Sequence, residues 1–210
     1  MITTSAGAAV SERSAVPGQA RDPQVLRRGV HELKSAVVVI TGVMASGKST
    51  VAQLLAERLD RSVHLRGDSF RRMIVSGREE ITPEPTEEAT AQLRLRYQAS
   101  AAVADVYARA GWTVVVQDVI LGDHLNAYLG SVTARPLYLV VLAPAPAAVA
   151  RREAGRGKSG YGAPWTVDSL DAVLRDETPR RGLWLDSSQH TPDQTVDQIL
   201  AGLPAALIHG

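Results

Sequence analysis

Residues Gly42-Val43-Met44-Ala45-Ser46-Gly47-Lys48-Ser49 fit G-x-x-x-x-G-K-[ST], the spacing of a phosphate-binding P-loop. The chemistry depends on these residue types. Gly42 and Gly47 let the backbone turn tightly and approach a phosphate with no Cβ in the way. The loop then aims backbone N–H groups at the anion, and the N-terminus of the following helix adds partial positive charge. Lys48 is placed to reach the β- and γ-phosphates, and the Ser49 hydroxyl to ligate Mg²⁺. The expected nucleotide-binding set is Gly42, Ala45, Ser46, Gly47, Lys48, Ser49 and Thr50. The pattern points to a nucleoside triphosphate with magnesium: ATP, with GTP still open.

Further residues with chemical potential lie downstream. In Arg66-Gly67-Asp68-Ser69-Phe70-Arg71-Arg72, Asp68 is placed to accept a proton from an attacking hydroxyl, as general-base catalysis requires. The blander reading is that Asp68 caps the helix that follows. Arg71 and Arg72, one turn on, are candidates to bind a polar or anionic substrate. Asp118 closes an apolar run and reads as a Mg²⁺ partner acting through water, or as a ligand for substrate hydroxyls. The next residue is Val119, where ATP-hydrolysing motors carry a water-activating Glu, which favours transfer to an acceptor over hydrolysis. Asp123 and His124 are candidates for the acceptor pocket, or a helix cap and its neighbour. Arg152 and Arg156, four apart before a Gly-rich stretch, suit a mobile lid that neutralises the transferring phosphoryl and excludes water. An exposed basic helix end is the alternative there.

These residues must be held by secondary structure. Ala36–Thr41 reads as a buried strand and Thr50–Leu59 as an amphipathic helix. Four more apolar runs predict strands: Ser62–Leu65, Thr113–Gln117, Leu137–Leu142 and Gly182–Leu185. Helical patterns cover Ser69–Ser76, Glu87–Ala110, Asp123–Gly130, Pro146–Arg156, Val167–Thr178 and Thr191–Ala206. The last opens with an N-cap Thr191, Pro192 and a capping-box Gln194, and Gly111 suits the end of the longest. The alternation predicts an α/β fold with a parallel sheet covered on both faces. Functional residues are then expected just after each strand. The loop after the fifth, Asp186–Pro192, is expected near the nucleotide base. The acidic loop Glu79–Glu88 reads as solvated surface, with the edge of a substrate cleft as its alternative.

The chain has 210 residues, a net charge of +1 and 45% hydrophobic residues, which fits one folded domain with a tail. Residues 1–34 are expected to form a flexible tail, with a short helix near Val25–Leu33, and residues 35–210 the folded domain. The near-zero charge argues against nucleic acid as a partner. There is no cysteine, which excludes thiol catalysis and disulfides. Met1–Arg21 has no apolar h-region, and the apolar stretch Leu137–Ala150 is too short to span a bilayer, so a cytoplasmic location without membrane partners is expected. Nothing in the sequence separates a monomer from a homodimer.

The P-loop, Gly67-Asp68-Ser69, Asp118 and the Arg152-Glu153-x-x-Arg156-Gly157 segment together resemble the small P-loop kinases, and most nearly the chloramphenicol phosphotransferase-like proteins. Gluconate kinases, shikimate kinases and zeta toxins share the layout. The resemblance spans about Ala36 to Leu203. It implies a nucleoside-monophosphate-kinase-like P-loop NTPase fold with strand order 2-3-1-4-5. It also implies Lys48 and Ser49 on phosphate and Mg²⁺, Asp68 as general base, and Arg152 and Arg156 as lid arginines. The expected activity is transfer of the γ-phosphate of ATP to a hydroxyl of a small molecule, such as an antibiotic, sugar or nucleoside-like metabolite. A zeta-toxin-like sugar-nucleotide kinase or a nucleic-acid end kinase is the alternative. A GTP switch is disfavoured, because the only Asn, Asn126, is followed by Ala127 and no N-K-x-D motif exists.

Overall fold

The computed structural model describes residues 22–155, 161 and 164–209. Five strands, β1 (Val37–Gly42), β2 (Ser62–Arg66), β3 (Thr113–Gln117), β4 (Leu137–Leu142) and β5 (Leu183–Leu185), form one sheet in the order β2-β3-β1-β4-β5. Every pairing is parallel. Parallel strands buried on both faces need continuous apolar runs, and β1 and β4 are buried at every position. Alternate side chains serve opposite layers. Val37, Val39, Val114, Val116, Leu139 and Val141 belong to one core. Val38, Ile40, Val115, Val140 and Leu142 belong to the other.

Nine α-helices flank the sheet among the described residues: α1 (Pro23–Glu32), α2 (Lys48–Glu57), α3 (Gly67–Arg72), α4 (Glu87–Arg109), α5 (His124–Ser131), α6 (Pro146–Ala154), α7 (Val167–Ala172), α8 (Pro192–Ala201) and α9 (Leu203–Ala206). Helices α4 and α5 cover the first core, and α2, α8 and α9 the second. Thr86 caps α4 by accepting from the Ala89 N–H at 2.9 Å. At its other end the N–H groups of Gly111 and Trp112 close onto the carbonyls of Ala108 and Tyr107, the paired bonds of a Schellman turn. The capping box at Thr191 and Gln194 forms as its sequence requires.

Three helices differ from expectation. The helix expected over Ser69–Ser76 is Gly67–Arg72, because the chain turns helical directly from the extended Arg66. Thr191–Ala206 is not one helix: it breaks at Gly202, where a side chain would meet Leu183 of β5 at 2.7 Å. Val167–Thr178 is α-helical only to Ala172 and continues as a π-helical turn, Val173–Glu177. Of the segment expected as a tail, residues 1–21 lie outside the described residues. Pro23–Glu32 is helical and packs on α8, with Leu33 fully buried. Among the described residues, no helix is long and apolar enough to cross a membrane.

Candidate functional site

The carboxyl ends of β1, β2 and β3 open into one cleft of about 1640 Å³. At its floor is the P-loop. Gly42 has φ 142° and its Cβ position lies 2.3 Å from the Leu142 carbonyl oxygen, so no other residue fits there without moving β4. Ala45 also takes a positive φ, 56°, which is uncommon outside glycine and turns the loop toward helix α2. Lys48 is 5% exposed, and its ammonium donates to the Val43 carbonyl at 2.6 Å. That bond folds the side chain back onto the loop. Thr50 lines the cleft at the start of α2.

Ser49 donates to Gln117 Oε1 at 3.1 Å, so the side chain from β3 that meets it is Gln117 and not Asp118. Strand alternation is the reason. Gln117 shares a face with Val115, on the α2 side of the sheet. Asp118, one residue on, turns toward α4. There Arg96 grips it with two bonds, Nε to Oδ2 at 2.8 Å and Nη2 to Oδ1, and the Val119 N–H donates to it at 2.7 Å. Asp118 is 1% exposed. Burial pushes its carboxyl up, and Arg96 with the Val119 N–H opposes that push. Gly67 lies directly against this pair: a Cβ there would fall 1.9 Å from Asp118 Oδ2.

Gly67 is the residue before Asp68. Asp68 sits inside the first turn of α3 and is not its cap, since the cap position is Arg66. Its carboxylate is half-exposed on the cleft and paired with both following arginines, Arg71 Nε at 3.2 Å and Arg72 Nη2 at 2.8 Å. Arg71 also pairs with Glu80, which brings the acidic loop to the cleft edge. That loop is therefore more than solvated surface: Glu79, Glu80, Ile81, Thr82, Pro83 and Pro85 line the cleft. Trp165 fixes it by donating to the Ile81 carbonyl at 3.1 Å. His124 lines the same end, its ring 5.8 Å from that of Tyr97, whose hydroxyl donates to the Val119 carbonyl at 2.7 Å. Burial raises the Tyr97 pKa, which keeps that O–H a donor.

Arg152 lies over the opposite end. It donates to the carbonyls of Ser46 at 3.1 Å and Ser187 at 2.6 Å, joining the P-loop to the loop after β5. Tyr161 donates to the Met44 carbonyl at 2.8 Å and lines the cleft beside the P-loop. Ser187, His190, Pro192 and Thr195 line this end, the position expected for the nucleotide base. Arg156, the second expected lid arginine, lies outside the described residues. Sequence reasoning passed over Arg96, Gln117, Tyr161 and Trp165. For Gln117 a signal was present, because strand alternation puts it on the face that meets α2.

This sheet order, with a P-loop after the central strand and charged side chains facing it across a cleft, is the architecture of the small P-loop kinases. The chain belongs to the AAA_33 family of AAA domains, whose model matches residues 37–198. It is similar in structure to a sugar kinase from Janibacter sp. HTCC2649, with a TM-score of 0.59 and 21% identity, over 81% of this chain and 95% of that one. The tunicamycin resistance protein of Deinococcus radiodurans gives a TM-score of 0.59 and 17% identity, over 83% and 99%. The APS kinase CysC of Mycobacterium tuberculosis, in complex with AMPPNP and APS, gives 0.59 and 18%, over 81% and 98%. These likenesses establish the fold. In sequence the chain is 32% identical over 103 residues to a UPF0200 protein of Aeropyrum pernix, covering 38% of this chain and 55% of that protein. The match thus spans about half the length of that relative.

Proposed function

We propose that the protein is an ATP- and Mg²⁺-dependent phosphotransferase acting on a hydroxyl of a small molecule. The observation that carries this reading is that Asp68 lines the same cleft as Lys48 and Ser49, with the Arg96–Asp118 pair packed against Gly67 just before it. Phosphoryl transfer requires positioning and charge stabilisation more than covalent chemistry by the protein. Lys48 supplies a cation at the β- and γ-phosphates, and the loop N–H groups supply donors. Asp68 accepts the proton of the acceptor hydroxyl. The acceptor oxygen bonds to the γ-phosphorus as the bond from that phosphorus to the β–γ bridging oxygen breaks, leaving ADP. Arg71 and Arg72 hold the carboxylate of Asp68 toward the cleft, and a carboxylate retains lone pairs for a hydroxyl beside those contacts.

The oxygens of Ser49 and Gln117 suit Mg²⁺, which prefers oxygen ligands and keeps several waters and substrate phosphates in its shell. The described residues hold no cluster of three or more acidic, His or Cys side chains for a metal, so the ion would arrive with the nucleotide. It supplies charge neutralisation at the phosphates. Arg152 would lie against the base or the phosphates, and closure around Arg156 remains part of the proposal.

The acceptor end has two unlike surfaces. Asp68, Arg71 and Arg72 form a charged surface with His124 beside it, while Ile81, Pro83, Leu93 and Trp165 form an apolar wall. This favours an acceptor with one apolar face over a bare polyol. The test is ADP release across a library of hydroxyl compounds, with mass detection of the phosphate adduct. ADP release that no acceptor stimulates would overturn the transferase reading in favour of an ATPase.

A further inference from the structure

Helix α4 is 23 residues long and one of its faces packs on the sheet and cleft through Ala89, Leu93, Tyr97, Ala101 and Ala104. The opposite face carries Leu95, Ala102 and Val106, all exposed, with half-buried Ala99 between them and exposed Gln98 at the margin. Spacings of four, three and four residues keep Leu95, Ala99, Ala102 and Val106 on one stripe. Leu95 is 56% exposed and Val106 58%, although both are large and apolar. Ala102 is exposed as well. A solvent-facing helix surface ordinarily carries charges at such positions.

The order of sizes is the informative part. The stripe reads large, small, small, large, with the same spacing from either end. A two-fold contact places the same patch against itself in reverse direction, so it demands this kind of symmetry. In an antiparallel pair Leu95 meets Val106 of the second copy, and Ala99 meets Ala102. The two alanines permit helix axes about 8 Å apart, the close end of the usual range. Charge selects the direction. Glu88 and Arg109 lie on the same stripe, one near each end of the helix, and both are exposed. Antiparallel pairing brings the Arg109 side chain within a turn of Glu88 of the copy, and it also sets the helix dipoles in opposition. Parallel pairing would face like charge with like at both ends.

We infer that the exposed face of α4 is a self-complementary surface through which two copies of this chain associate as an antiparallel helix pair. The cleft lies on the other face of α4, so the contact leaves both sites open.

Sedimentation equilibrium of the full chain is expected to show a reversible dimer. Leu95→Glu places a charge at an already exposed position, so the fold and nucleotide affinity are retained, while dimer dissociation strengthens at least about tenfold. Glu88→Arg alone and Arg109→Glu alone are each expected to weaken the dimer, and the double variant to restore it. Because the chain contains no cysteine, Ala99→Cys and Ala102→Cys proteins mixed together are expected to cross-link under mild oxidation faster than either alone. A protein that stays monomeric at high micromolar concentration overturns the inference. So does a dimer indifferent to Leu95→Glu, or a double charge swap that fails to restore association.

Discussion

The P-loop end of the cleft, proposed for the nucleotide, is made chiefly of backbone, and the Asp68 end, proposed for the acceptor, chiefly of side chains. At the first, one continuous stretch from Gly42 to Thr50 supplies the donors, and strand β1 and helix α2 fix its shape. At the second, Asp68, Glu80, Arg96, Asp118, His124 and Trp165 come from six separate segments and meet only when the sheet is assembled. A site written in backbone tolerates change in most of its side chains. A site written in side chains depends on each partner, and on the glycine that lets them approach.

That contrast is open to direct attack. The largest effect is expected from Lys48→Ala, which removes the buried cation of the P-loop. Turnover measured by ADP release should fall by about 10³-fold or more, since charge stabilisation dominates phosphoryl transfer. A loss under about tenfold would mean that the loop N–H groups suffice. Asp68→Asn should lower turnover by about 10²- to 10⁴-fold, the range of a general base, with nucleotide affinity by calorimetry unchanged. If affinity falls with turnover, the two ends are not separable.

Gly67→Ala must push apart the Arg96–Asp118 pair, and the overpacking should cost about 1–3 kcal/mol in urea denaturation. Acceptor-dependent turnover should fall as well, while nucleotide affinity holds. Arg152→Ala removes donors to the Ser46 and Ser187 carbonyls. Nucleotide affinity should drop about tenfold, the lower range for a charged hydrogen bond, with little effect on acceptor KM.

The smallest effect belongs to the sheet that carries both ends. His64 on β2 bonds through Nδ1 to Gln53 at 2.8 Å, its Nε2 is buried with no hydrogen-bond partner among the described residues, and burial with the Arg66 charge lowers its pKa to about 4. The folded protein therefore keeps this ring neutral while the unfolded chain protonates it below the ordinary value of 6.5. Its contribution to stability is whole above that value and is lost as the pH falls toward about 4. His64→Gln should flatten that part of a stability–pH curve without altering turnover at pH 7.5. An unchanged slope would place the acid sensitivity elsewhere.

The same division explains what the sequence made legible. The P-loop, the capping box at Thr191 and the closing turn after Arg109 are local, and each could be read from a few consecutive residues. Strands β1, β3 and β4 were legible because burial on both faces leaves apolar runs such as Leu137–Leu142. Arg96 was not legible, being one of several arginines in a long helix, and its importance comes from Asp118, 22 positions away. Asp118 itself was noticed for its place at a strand end, but strand alternation turns it from the Ser49 side to Arg96 of α4. The break at Gly202 depends on the close approach of Leu183, which no local pattern records.

The contact between Gly67 and Asp118 also bears on altering what the protein accepts. With a hypothetical Cβ only 1.9 Å from a carboxylate oxygen, positions 67, 96 and 118 form a unit in which none can be varied alone. A combinatorial library aimed at new acceptors should keep these three fixed. It should spend its diversity on Ile81, Pro83, Leu93 and Trp165, where the cleft wall can change shape while the chemistry stays in place.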